Sequence, residues 1–127
     1  MVLETDGSSR GNPGKAGAGY VLSMDGKVTA KEKRHLGITT NNVAEYTAMI
    51  MGLERATRMG ASRLVAVTDS LLLARQMAGS YKIRQSHLKP LHKRCMELVS
   101  KLQSFEIRYV PSHQNRAHLL AHQAAGE

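Results

Sequence analysis

Three acidic residues stand in contexts suited to phosphate chemistry: Asp6 in Thr5-Asp6-Gly7-Ser8, Glu45 in Thr40-Asn41-Asn42-Val43-Ala44-Glu45, and Asp69 in Thr68-Asp69-Ser70. Brought together, three carboxylates repel one another and raise each other's pKa, so such a cluster is stable mainly when divalent cations neutralise it. Oxygen-only ligands select hard ions, Mg²⁺ or Mn²⁺, over zinc. On a phosphodiester, two such ions about 4 Å apart can activate water and stabilise the leaving oxygen of an in-line displacement. The rest of the chain suits a polyanion: its formal charge is +8, which draws phosphates through counterion release but confers no sequence preference. The positive charge is concentrated in Lys82, Arg84, Lys89, Lys93, Arg94 and Lys101, opposed only by Glu97, with a smaller group at Lys31, Lys33, Arg34 and His35. Such runs are commonly no more than solvated faces; the acidic triplet is what gives this one a substrate to present.

These residues need elements to hold them. Met1 to Asp6 reads as a short strand running into Gly7–Gly14, whose glycines and proline predict a loop, so Asp6 is expected at a strand end. Gly17 to Met24 and Lys27 to Leu36 form a hairpin about the Asp25-Gly26 turn. Thr39 to Asn42 are capping residue types, and the helix they begin is predicted to run to about Met59 and stop at Gly60, with Glu45 in its first turn. Ala48, Met49, Gly52 and Ala56 share that residue's face and aim it along a sheet. The apolar run Leu64 to Val67 predicts a strand covered on both faces that ends in Thr68-Asp69. A short helix over Ser70 to Ala78, a helix opening at Pro90, a strand over Ser104 to Val110 and a last helix over Arg116 to Ala125 complete the order βββαβααβα. This is an α/β fold: a five-stranded mixed sheet flanked by helices, with strands one and four parallel, in a single domain spanning residues 1–127.

Composition excludes several classes. Hydrophobic residues make up 42% and charged residues 22%, the balance of a globular chain and not of a disordered one. Cys95 is the only cysteine, so no internal disulfide forms, and its spacing with Leu91, Leu98 and Leu102 marks a buried thiol. No apolar run reaches the about 18 residues of a membrane span, and no signal peptide opens the chain, which predicts a cytoplasmic protein without a membrane partner. With four tyrosines, one phenylalanine and no tryptophan, a stacking platform for single strands is not expected.

The segments Thr5-Asp6-Gly7-Ser8, Arg10-Gly11-Asn12-Pro13-Gly14, Thr40-Asn41-Asn42-Val43-Ala44-Glu45-Tyr46 and Thr68-Asp69-Ser70 resemble, in order, the successive motifs of type 1 ribonuclease H. The resemblance extends through Tyr109-Val110-Pro111 to Leu120-Ala121, and to the compact bacterial and archaeal members in particular, because Tyr81 to Leu91 leaves no room for a basic protrusion. It implies hydrolysis of the RNA strand of RNA/DNA hybrids to 5′-phosphate and 3′-hydroxyl ends. Asp6, Glu45 and Asp69 would be the metal ligands, with two Mg²⁺ or Mn²⁺ ions per site. Hybrids present a wide, shallow minor groove in which 2′-hydroxyls mark the RNA strand. Gly11, Asn12, Asn41 and Asn42 are candidate groove contacts, and the two adjacent asparagines are equally suited to capping the helix of Glu45. Double-stranded RNA is a further candidate substrate, and a monomer is expected.

One departure stands out. Where the family places a fourth carboxylate, as Ala-Asp-x-Leu-Ala, this chain reads Ala117-His118-Leu119-Leu120-Ala121, and the preceding loop is one residue short. His118 is the positional match, with Leu119 the alternative if the gap lies elsewhere. A neutral imidazole binds Mn²⁺ but is a poor Mg²⁺ ligand, so weaker binding of the second ion, or an Mn²⁺ preference, is expected; a proton-shuttling His118 is the other reading. His113 resembles the mobile histidine that assists product departure, or is a plain loop residue. Glu4, on the strand face of Asp6, is expected to be structural, and His122 to face solvent. Two rivals remain: a catalytically weakened hybrid-binding module, and a related nuclease of the same fold.

Overall fold

The computed structural model describes all 127 residues. Five strands form one sheet in the order β3-β2-β1-β4-β5, from β1 (Val2–Gly11), β2 (Gly14–Met24), β3 (Lys27–Thr39), β4 (Arg63–Thr68) and β5 (Ser104–Tyr109). The helices are α1 (Asn41–Arg58), α2 (Leu71–Met77), α3 (Lys89–Val99) and α4 (Ala117–Ala125). β1 pairs antiparallel with β2 and parallel with β4, which pairs parallel with β5. The expected order and the parallel β1–β4 neighbourhood are both present.

The two faces of the sheet are built differently. Leu3, Ala18, Tyr20 and Leu22 meet Tyr46, Met49, Leu53 and Ala56 of α1, with Leu88, Cys95 and Leu98 behind, in one buried core. On the opposite face α4 lies on β2 through Ala117, Ala121, Ala124 and Ala125, all fully buried. The approach is close because Gly17 and Gly19 have no side chain: a Cβ on Gly17 would overlap the Ala125 backbone, and one on Gly19 would crowd Leu120. Cys95 is buried, as its spacing predicts.

The expected loop over Gly7–Gly14 is not there. β1 continues to Gly11 and pairs with β2 as far as Gly11↔Gly14, so Asp6 lies within a strand and not at its end. The glycines serve close packing more than turning, since a Cβ on Gly7 would overlap the Ala44 carbonyl and the Glu45 nitrogen of α1. β3 runs to Thr39, three residues beyond the expected Leu36. β4 is less covered than its apolar run suggests: Leu64, Ala66 and Thr68 are buried, but Val65 and Val67 only half so. α4 covers β1, β2 and β3 and leaves this face of β4 thinly screened. Asp25 and Gly26 both take positive φ, at 52° and 80°, as a tight two-residue hairpin turn requires. No helix is long and apolar enough to cross a membrane.

Candidate active site

Sheet register brings the two aspartates together. The parallel pairing of β1 and β4 ends at Thr5↔Thr68, so the next residues, Asp6 and Asp69, emerge side by side where β4 stops while β1 runs on. Asp6 shares the α4 face of β1 with Glu4 and Ser8, whereas Gly7 faces α1.

Glu45 arrives from α1. Thr40 caps that helix, its hydroxyl accepting from Val43 N at 3.3 Å, and Asn12 Oδ1 accepts from Asn41 N at 3.0 Å, which fastens the β1–β2 hairpin to the helix start. Glu45 therefore sits at the head of the second turn, one position past the expected first turn. The missing side chain of Gly7 lets it pass, and Gly7 N donates to Glu45 Oε1. Carboxylate oxygens of Asp6, Glu45 and Asp69 all lie within 4.8 Å of one another. Asp6 and Glu45 are 3% and 4% exposed, and no lysine or arginine pairs with any of the three.

Burial first, then a hydrogen bond to Asp69 and the charges of Glu45 and Asp69, hold the Asp6 carboxyl far above the usual carboxylate range. Burial likewise raises Glu45, to about 8, with the charge of Asp69 adding to the rise and the Gly7 amide opposing it. A metal-free cluster thus retains protons at neutral pH, which is the signature of a group of oxygens lacking its counter-charge.

α4 supplies the remaining chemistry. His118 Nδ1 lies 3.1 Å from Asp6 Oδ2 and 3.6 Å from Asp69 Oδ2, while Leu119 is 64% exposed on another side of the helix. His118, and not Leu119, therefore faces the carboxylates. The start of α4 is fixed by two neighbours. Asn115 Nδ2 donates to Thr5 O at 2.8 Å and its Oδ1 accepts from Ala117 N, while Arg116 Nε donates to Glu4 Oε2 at 2.7 Å and its backbone N to Glu4 Oε1. Glu4 is thus a structural partner of Arg116 and does not join the cluster.

The cleft around the carboxylates has no apolar lining; Ser8, Ser9, Asn41, Ser112 and His122 complete its wall. Among the expected groove residues Asn41 reaches this wall, Asn12 acts through Asn41, and Gly11 and Asn42 lie outside it. His113 is exposed in the short turn before α4 and does not line the cleft, although the adjacent Ser112 does. His122 corrects its expectation. It is exposed, but toward the site, with its ring centroid 4.2 Å from that of His118. Its spacing of four from His118 was the available signal, since residues i and i+4 share a helix face.

The largest cleft, of about 540 Å³, lies elsewhere, between α2 and the segment that follows it. Lys82, Arg84, Tyr81 and Gln76 line it, and the Arg75 guanidinium stands 5.7 Å from the centre of the Tyr81 ring. It holds no carboxylate and is a basic surface, not the seat of the acid chemistry. Within the same basic segment Arg94 is spent on Glu54 and Glu97, at 3.2 and 3.7 Å, whereas Lys82, Lys89, Lys93 and Lys101 are exposed.

Known proteins share this fold. A family model described as Reverse transcriptase-like matches residues 4–124. The N-terminal RNase H domain of Mycobacterium tuberculosis Rv2228c, solved as a fusion with maltose-binding protein, superposes with a TM-score of 0.95 at 38% identity over 98% of this chain and 97% of that one. The chain belongs to the type 1 ribonuclease H family. The RNase H1 of Halobacterium salinarum superposes at a TM-score of 0.93 and 36% identity, covering 98% of this chain and 96% of that one. LC11-RNase H1, solved in complex with an RNA/DNA hybrid, gives a TM-score of 0.92 at 32% identity, covering 98% and 96%. In full length the curated relatives are longer: this ribonuclease H chain spans 32% of the bifunctional Rv2228c protein and 61% of the Halobacterium ribonuclease HI, at 39% identity to each over 91% and 94% of its own residues.

Proposed function

We propose that this chain is an endoribonuclease that cleaves the RNA strand of RNA/DNA hybrids, leaving 5′-phosphate and 3′-hydroxyl ends. The observation that carries the reading is the convergence of three buried carboxylates that no lysine or arginine neutralises. A donor set of carboxylate oxygens fits Mg²⁺ or Mn²⁺, and Asp6, Glu45 and Asp69 would hold these ions, with His118 in place of a fourth carboxylate. When bound, a pair of such ions supplies activation of water and charge stabilisation at the leaving oxygen.

The chain's own residues position the duplex and shape the site. Gly7 N fixes Glu45, and the Asn115 and Arg116 contacts fix His118 against Asp6. Asn41, Ser8 and Ser9, small polar groups on the cleft wall, suit 2′-hydroxyls and sugar edges without reading bases. Asn12 braces the Asn41 backbone, and Gly11 and Asn42, the chain neighbours of that pair outside the cleft wall, are assigned to the outer groove. Lys82, Arg84, Lys89 and Lys93 track phosphates along the adjoining basic surface. His113, exposed beside Ser112, is assigned to product departure and not to ion binding. A monomer in a reducing, cytoplasmic setting is the reading for this chain, and Cys95, buried and without a disulfide partner, suits such a setting. Double-stranded RNA, which shares the A-form minor groove, is a second candidate duplex.

Incubation with a labelled hybrid in Mg²⁺ and separately in Mn²⁺, with duplex DNA as control, tests the reading. Cleavage confined to the RNA strand is expected, and no cleavage in either ion would overturn it. The His118 substitution favours one other reading, a hybrid-binding module that has lost turnover. It predicts tight hybrid binding with no product in both ions.

A further inference from the structure

We propose that Asp6, His118 and His122 form a second, nitrogen-rich cation site that takes a borderline transition ion of the Zn²⁺ and Co²⁺ class. It shares Asp6 with the carboxylate triad and uses His118, which the proposed nuclease also sets beside its ions, so His122 is the ligand it adds. The inference rests on the same pocket as the proposed nuclease but concerns a different ligand set and a different ion.

The geometry is specific. One ligand atom from each of the three residues falls within 4.8 Å of the other two. His118 Nδ1 to Asp6 Oδ2 is 3.1 Å. Two donors bonded to one ion at about 2.1 Å in tetrahedral geometry stand about 3.4 Å apart, so this pair, hydrogen-bonded in the metal-free fold, needs to part by only a few tenths of an ångström to take an ion. His122 follows His118 by one helical turn, and the two rings lie on the same side of α4 with centroids 4.2 Å apart. Paired histidines at i and i+4 are an efficient chelate because the helix has already aligned them. Asp6 is 3% exposed and the histidines stand at the open side of the cleft, so the set has a fixed anionic floor and an accessible entrance.

The chemistry separates the two halves of the pocket. Asp6, Glu45 and Asp69 offer only oxygen and suit Mg²⁺, whereas two imidazoles and one carboxylate bind Zn²⁺ or Co²⁺ far better than Mg²⁺. The tilted contact of the two rings, whose planes differ by 51°, has no comparable structural purpose, since His122 makes no hydrogen bond in the fold and is exposed.

Co²⁺ titration of the full chain, read by visible d–d absorption, with Zn²⁺ competition followed by calorimetry, tests the site without reference to turnover. The wild type and Glu45→Gln are expected to show the Co²⁺ band and to bind Zn²⁺ with similar affinity. His122→Ala, at an exposed position that leaves the fold intact by circular dichroism, is expected to lose about tenfold or more in Zn²⁺ affinity while keeping its Mg²⁺ affinity. Zn²⁺ binding by His122→Ala as tight as by the wild type would overturn the proposal. So would Zn²⁺ binding that collapses in Glu45→Gln, which would place the ion in the oxygen triad. Hybrid cleavage by the wild type is a separate measurement, and its failure would bear on the nuclease reading alone.

Discussion

Replacing Asp6 with Asn keeps the shape of the side chain and removes one charge from the cluster, which separates what the carboxylates cost the fold from what they do with ions. Without metal, the Asp6 and Glu45 pKa values are raised above those of the unfolded chain, Glu45 from 4.5 to about 8. A raised carboxyl leaves stability intact below its unfolded pKa, and stability falls as pH climbs toward the folded value, because the folded state keeps a proton that the unfolded chain releases. The window for this loss opens near pH 4 and extends past pH 8. At about 1.4 kcal/mol per pH unit, holding one such proton at pH 7 costs the fold about 3 to 4 kcal/mol. Asp6→Asn removes that cost for one group but forgoes the contact with His118, so a net gain of roughly 2 kcal/mol is expected, or about 5 to 10 °C in melting temperature for a domain of this size. Thermal melts by circular dichroism in chelator, at pH 4.5 and pH 8, should show the variant above the wild type at pH 8 and near it at pH 4.5. Added Mn²⁺ should raise the wild type at pH 8 and leave the variant almost unmoved. Hybrid cleavage should fall by about 10³-fold or more while hybrid binding persists. A variant that melts at or below the wild type at pH 8 in chelator would refute the reasoning, because the carboxylates would then not be straining against one another.

The other expectations are independent of that experiment. His118→Asp, which restores an oxygen ligand beside Asp6, should raise cleavage in Mg²⁺ more than in Mn²⁺; equal changes in initial rates would count against an ion-binding role for His118. Gly7→Ala should cost roughly 3 kcal/mol or more in chemical denaturation, since the new methyl group meets the backbone of α1 and neither element can yield cheaply. A Lys82→Ala, Arg84→Ala double variant should weaken hybrid binding and flatten its salt dependence by about one to two counterions, with the cleavage rate at saturating hybrid unchanged; an unaltered salt slope in filter binding would remove the basic cleft from the duplex path.

Much of the site could be read from sequence because its parts are fixed by short-range rules. Asp69 follows an apolar strand, Glu45 follows a capped helix start, and both stand where those rules put them to within a residue. The misreadings share a cause. Gly7 and Gly14 were expected to bound a loop and Gly17 to open a strand, but with Gly19 they leave space for α1, for the neighbouring turn and for α4, and the need for that space arises only when remote segments meet. β3 is longer than expected because its outer half pairs with the extended part of β2, not because its polar side chains favour a strand. The Glu4–Arg116 and Asn115–Thr5 contacts join residues more than a hundred positions apart, so no local pattern announces them. His122 was legible in principle through its spacing, but only if the helix face of His118 was already known to point inward.

The seam of alanines on α4 against Gly17 and Gly19 also acts as a keyway. An α-helix turns about 100° per residue, so a slip of one position along that seam would carry His118 and His122 off the carboxylates and offer Leu119 in their stead. Fully buried alanines that meet bare backbone leave no alternative seating. Gains and losses of length are therefore pushed out of the helix and into the exposed segment between Val110 and Asn115, and a chain one residue shorter there can still present the same side chains to the same cleft.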